Sequence, residues 1–155
     1  MTDHFRGTAR SGLALSLTAV VLLTLTPTGR GWVWADPIEE LLWYLSDPWA
    51  WTTFVQWAGN LTLLAVPIAF AVIGWPGLGR SAALVAASVT SAASVEILQR
   101  LLPLGRVVSP LDALLNAAGA FVAGLVAARA HHRGRQRPCL KSVKRTGASD
   151  GTIAA

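Results

Sequence analysis

Apolar positions fall in four long stretches, and the polar residues between them mark where each begins and ends. The stretches cover about residues 11–27, 53–73, 81–102 and 110–130. Each is close to the roughly 20 residues that a bilayer core requires of an α-helix. The first ends at Pro27 and Gly29. The second holds Pro67, where a kink is tolerated if neighbours satisfy the freed carbonyl. The third begins after the turn 74–80 and opens with a run of Ala and Ser. The fourth starts at Ser109-Pro110-Leu111-Asp112, a cap, a proline and an acid in the order that favours a helix N-terminus. Small residues form stripes at Ala83, Ala87 and Ser91 and at Gly124 and Ala128, which lets helices approach closely.

The connector between the first two stretches, residues 31–56, has a different pattern. Asp36-Pro37-Ile38-Glu39 is a second cap, proline, acid start, and Ile38, Leu41, Leu42 and Leu45 follow at helical spacing. Six of the seven tryptophans lie between Trp32 and Trp57. Tryptophan favours the boundary between water and lipid, so the connector is expected to lie on the membrane surface. The expected fold class is therefore all-α: an integral membrane bundle of four transmembrane helices, with an interfacial amphipathic segment between helices 1 and 2.

Composition agrees with this. The chain is 53% hydrophobic and 14% charged, against a usual charged share of about 25%, and its mean hydropathy is +0.49. The basic start and short apolar core also suit a signal peptide, but no small-x-small cleavage site follows, and an uncleaved first helix is the expectation. The net charge of +5 is uneven: seven of the thirteen Lys and Arg follow Ala128. Residues 1–130 form the expected membrane domain, and residues 131–155 a disordered basic tail. That tail has no aromatic residue to stack on a base, so no nucleic-acid partner is expected. A single cysteine, Cys139, excludes an intrachain disulfide, and neither metal nor cofactor is expected. With four helices, the termini and the turn at Arg80 share a side that holds ten basic residues, against Arg30, Arg100 and Arg106 opposite. The basic bias places both termini in the cytoplasm of a multi-pass cell-membrane protein.

Polar residues inside the apolar stretches carry the candidate chemistry. Glu96 and Gln99 share one helix face, as do Asp112 and Asn116. For a tight antiparallel hairpin about Gly105 and Arg106, residues at equal depth have numbers summing to about 212. Glu96 then lies level with Asn116, and Gln99 or Arg100 near Asp112. Asn60 falls at a similar depth, about 10 Å from the outer end of its helix.

In these residues the chain resembles the VanZ-like family of small bacterial membrane proteins. The matching pieces are Asn60-Leu-Thr-Leu-Leu-Ala-Val-Pro67, Glu96-Ile-Leu-Gln99, and Gly105-Arg106-x-x-Ser109-x-x-Asp112-x-x-x-Asn116-x-x-Gly119. They span about residues 55–128. The first piece departs from the family pattern, with Ala65 or Val66 where an aromatic residue usually precedes the proline, and Ala69 where a glycine follows it. The resemblance implies a membrane protein of the cell envelope and a link to glycopeptide (teicoplanin-type) resistance, without an agreed reaction.

A charged acid within a bilayer costs roughly 2.5–3.5 kcal/mol on insertion scales, so Glu96 is expected to be neutral or paired with Arg100 or Arg106. One reading makes Asn60, Glu96, Gln99 and Asn116 interhelical glue in a structural or assembly subunit. A second makes Arg106 and the start of the fourth helix an outward-facing anion site, oriented by Asp112, for a membrane lipid, an anionic lipid or a lipid-linked cell-wall precursor. The candidate ligand-binding residues are Arg106, Asp112, Glu96, Gln99, Asn116 and Asn60. Catalysis by Glu96 and Asp112 is the weakest reading, because no histidine or cysteine accompanies them.

Overall fold

The structure is a computed structural model that describes the backbone of residues 3–146 and the side-chain surroundings of residues 7–133. Its helices are α1 (Asp3–Leu25), α2 (Pro37–Ser46), α3 (Trp51–Leu63), α4 (Ala65–Gly74), α5 (Ser81–Leu101) and α6 (Pro110–Thr146). Two short strands, β1 (Gly31–Trp34) and β2 (Leu104–Val108), complete the described elements, with one 3-10 turn at Pro76–Gly79.

Four spans are long and apolar enough to cross a membrane: Gly7–Leu25, Trp51–Gly74, Ser81–Leu101 and Pro110–Arg133. They match the four apolar stretches of the sequence. The second span is α3 and α4 together, interrupted at Leu64. Pro67 explains the break, because it has no N–H for the carbonyl of Leu63. Helix α1 begins nearer the N-terminus than the apolar run does.

Helix α6 is the axis of the bundle. It packs on α3, α4 and α5, while α1 leans on α4. Its buried stripe is Asn116, Gly119, Ala120, Gly124 and Ala128. Gly119 is fixed by contact: a Cβ there would collide with the backbone of Leu61 on α3. On α5 the facing stripe is Leu84, Ser88, Ala92, Val95 and Gln99. The opposite faces carry exposed Val21 and Leu22, Val85, Val89 and Ile97, and Leu114, Val122 and Val126. A soluble bundle keeps such faces polar. Helices that are apolar outward as well as inward belong in lipid, and the chain is a membrane protein.

The two ends of the bundle differ. At one end Arg10 sits over the ring of Trp75, 5.4 Å from its centroid, and a Cβ on Gly79 would press on Ala128. The start of α1, the turn before α5 and the far part of α6 therefore meet. At the other end lie β1, β2 and α2.

That second end departs from the expected tight hairpin. The chain between α5 and α6 is extended, and β2 pairs in parallel with β1 in the register Gly31↔Leu104, Val33↔Val107 and Trp34↔Val108. The N–H of Thr28 reaches the Leu104 carbonyl at 2.9 Å, and that of Ala35 reaches Val108 at 3.1 Å. Gly105 has φ +66°, and a Cβ on it would strike the backbone of Gly29. Glycine is required there on both counts.

Helix α6 continues to Thr146, beyond the expected start of a disordered tail at residue 131. Extension of an existing helix needs no new nucleus, and Ala and Arg are good helix formers. Residues 147–155 of the expected tail lie outside those described.

Candidate functional site

The polar residues of the spans converge on one cavity of about 1280 Å³. All six candidates from the sequence, Asn60, Glu96, Gln99, Arg106, Asp112 and Asn116, line it. Thus α3, α5, β2 and α6 each bring a polar group to the same space.

Asp112 is the centre of the hydrogen bonding. Its first-turn position on α6 aims it at α3, where Asn60 donates to Oδ1 and Gln56 donates to Oδ2 at 3.1 Å. Gln56 and Asn60 share one face of α3, which is why both reach the same carboxylate. The hydroxyl of Tyr44 on α2 lies 3.4 Å from Oδ1 and the same distance from Glu40 Oε1. Tyr44 is buried, 3% exposed, although its helix neighbours Leu41, Leu42 and Leu45 are exposed. Helix α2 therefore turns Glu40 and Tyr44 to the protein and its leucines outward. Burial, and then the nearby Asp112 and Glu40 carboxylates, push the Tyr44 hydroxyl well above its usual pKa, so it stays a donor.

Ser109 caps α6. Its Oγ accepts the Asp112 N–H at 3.1 Å and donates to Glu40. Its own N–H donates to Glu96 Oε2 at 3.2 Å. The free N–H groups expected at this helix start are thus largely occupied by the protein itself. Glu96 is also not level with Asn116. It bonds seven residues earlier, at Ser109, because β2 replaces the tight turn that the depth count assumes.

Gln99 and Arg106 serve another element. The Gln99 amide donates to the Thr24 carbonyl at 3.0 Å, and Arg106 Nη1 to the Thr26 carbonyl at 3.3 Å. Thr24 lies in the last turn of α1, where helical carbonyls lack partners, and Thr26 follows the helix directly. Arg106 does not pair with Asp112 or Glu96; the bonds to those carboxylates come from neutral donors. Asn116 is 1% exposed, and its Oδ1 has no hydrogen-bond partner.

Glu40, Tyr44, Gln56 and Ser109 complete the site beyond the six candidates. Glu40 and Tyr44 are four apart and share a helix face, a signal present in the sequence but outweighed by the tryptophans around them. Leu15, Ala19 and Leu23 of α1 and Val66 and Phe70 of α4 make much of the remaining wall apolar, with the hydroxyls of Ser16, Thr24 and Thr62 among them. Among the described residues, no group of three or more His, Cys, Asp or Glu is arranged to hold a metal ion.

The chain matches no family model, no curated protein and no solved structure.

Proposed function

We propose that this is a VanZ-like membrane protein of the bacterial cell envelope that takes the headgroup of an amphiphile into the cavity. The amphiphile is an envelope lipid, anionic lipids included, or a lipid-linked cell-wall precursor. The observation that carries the proposal is the make-up of the cavity: polar groups from α2, α3, α5, β2 and α6, and largely apolar walls from α1 and α4. A ligand with a polar head and an apolar tail matches both parts.

The sidedness belongs to the same proposal. Ten basic residues accompany the end that holds the start of α1 and the turn at Arg80, so that end is cytoplasmic. The polar end of the cavity then faces outward, and the exposed Trp32, Trp34, Trp49 and Trp51 seat α2 and its flanks at the outer membrane boundary. A role in teicoplanin-type resistance rests on the family resemblance and would follow from engagement of a lipid-linked precursor.

A structural or assembly role is the second reading. The bonds from Asn60 and Gln56 to Asp112 favour it, because they tie α3 to α6 without any ligand. Gentle extraction followed by mass spectrometry separates the two. The binding proposal expects a defined amphiphile at about one per protein, retained through purification. A protein that releases all lipid yet keeps its fold would leave the structural role.

A further inference from the structure

The cavity is open along one side, and that side lies within the membrane spans. Among the described residues, α1 packs on α4 and α5 but not on α3. Leu15 and Leu23 of α1 and Val55 and Val66 of the second span line the cavity and are still 48% to 73% exposed. They form the two lips of a slot. Gly59, between Val55 and Val66 on the chain, also lines it, and a Cβ there meets nothing within 4 Å. Helix α1 is held at both ends of this slot. A Cβ on Gly12 would press into the ring of Phe70 on α4, which closes the floor. The Gln99 amide on the Thr24 carbonyl, at 3.0 Å, fixes the top. From Gly12 to Thr24 is about 18 Å by helical rise. That is close to one leaflet of a bilayer core roughly 30 Å thick.

The chemistry of the walls is a separate observation. The lining residues of α1, α3 and α4 include no charged group. The amides of Gln56 and Asn60 are turned to Asp112. The hydroxyls of Ser16, Thr24 and Thr62 donate to carbonyls of their own helices, those of Leu13 at 2.9 Å, Val20 at 2.7 Å and Ala58 at 2.6 Å. The slot therefore offers neither charge nor a free side-chain donor, at a depth where the surrounding solvent is hydrocarbon. Water would find too few polar partners there.

We propose that the slot seats one hydrocarbon chain of a bilayer lipid, which enters sideways from the membrane between α1 and α3. The proposal rests on the amphiphile binding given above and adds where the tail lies and how it arrives. An empty slot would leave its walls without packing partners on one side. A chain from the adjoining leaflet matches the slot in length and chemistry, and it reaches the seat without leaving hydrocarbon. Its headgroup then meets the polar part of the cavity. The ligand is thereby a resident of the membrane rather than a soluble amphiphile drawn from water.

Photolabelling tests this on the full chain, using phosphatidylethanolamine and phosphatidylglycerol that each carry a diazirine at the end of one acyl chain. The protein is loaded in detergent, freed of loose lipid by gel filtration, irradiated and mapped by peptide mass spectrometry. The label should fall at Leu15, Ala19, Val66 or Phe70. Retained lipid that labels outward residues such as Val85, Val89 or Val122, or all four spans evenly, overturns the slot and leaves amphiphile binding standing. Retention of no lipid, added or native, overturns both. Two variants supply a second measurement. Leu15→Asn and Val66→Asn each put an amide into the tail seat and should lower the retained lipid at least about threefold. Val122→Asn, on the outward face of α6, should leave it unchanged. Retention equal to the parent's in folded Leu15→Asn and Val66→Asn overturns the seat assigned here.

Discussion

Asp112 on α6 accepts the side-chain amide of Gln56 on α3 at 3.1 Å, and the same carboxylate holds Asn60 one turn further along. The only carboxylate of α6 thereby joins the second and fourth membrane spans at the wall of the cavity. Replacing Asp112 with Leu removes the shared acceptor of three donors. Hydrogen bonds within membrane proteins are worth about 0.6 kcal/mol on average and about 1.7 at most. Asp112→Leu should therefore lower unfolding stability in detergent by about 1–2 kcal/mol, and Asp112→Asn by less. Equilibrium unfolding measures both, and an Asp112→Leu protein as stable as the parent would mean the pairs contribute nothing.

Gly119 gives a sharper test of the packing. A methyl group there would enter the backbone of Leu61, whereas one on Gly7 meets nothing within 4 Å. Gly119→Ala should separate α3 from α6 and reduce the yield of monodisperse protein, and overpacking of this kind costs at least about 1–3 kcal/mol. Gly7→Ala should be neutral. Size-exclusion profiles and thermal unfolding of the two variants provide the comparison.

Tyr44 predicts an alkaline limit. Its hydroxyl is held above its usual pKa, mainly by burial. A group whose folded-state pKa is raised contributes stability that is fully present below the unfolded value, about 10 for tyrosine. That contribution is lost as pH rises above this value towards the folded pKa. The detergent-solubilised protein should thus lose stability above about pH 10. Tyr44→Phe has no hydroxyl to ionise and should flatten that part of the profile. Thermal unfolding measured across alkaline pH would show it, and the same decline in Tyr44→Phe would assign the effect elsewhere.

The charge bias predicts sidedness. A reporter fused after Lys141 should report the cytoplasm, and one inserted at Glu40 the outside. Both on the same side would be incompatible with four crossings.

The four spans were legible in the sequence because each is a long local run of apolar residues, and the end of α1 and the start of α6 carry their own stop and cap signals. The six candidate residues do share one cavity, since polar groups within apolar helices face the bundle interior. Their pairings were not legible. Strands β1 and β2 are 4 and 5 residues long and lie some 70 residues apart, so no local pattern announces their parallel pairing. That pairing extends the α5–α6 connection, moves Glu96 from Asn116 to Ser109, and brings Gln99 and Arg106 to the end of α1. Glu40 and Tyr44 were hidden for a related reason: their helix exposes its leucines, so the polar face, normally turned to water, is the one that packs.

The central claim is that the cavity holds an amphiphile, and Gly59 offers the most direct way to test it. Gly59 lines the cavity, and a Cβ there meets nothing within 4 Å. Gly59→Trp should fill the space without disturbing the packed core. Lipid bound per protein, measured by mass spectrometry after identical gentle extraction, should fall from about one to near zero, while the unfolding temperature stays close to that of the parent. A folded Gly59→Trp protein that carries the same lipid in the same amount would contradict the claim.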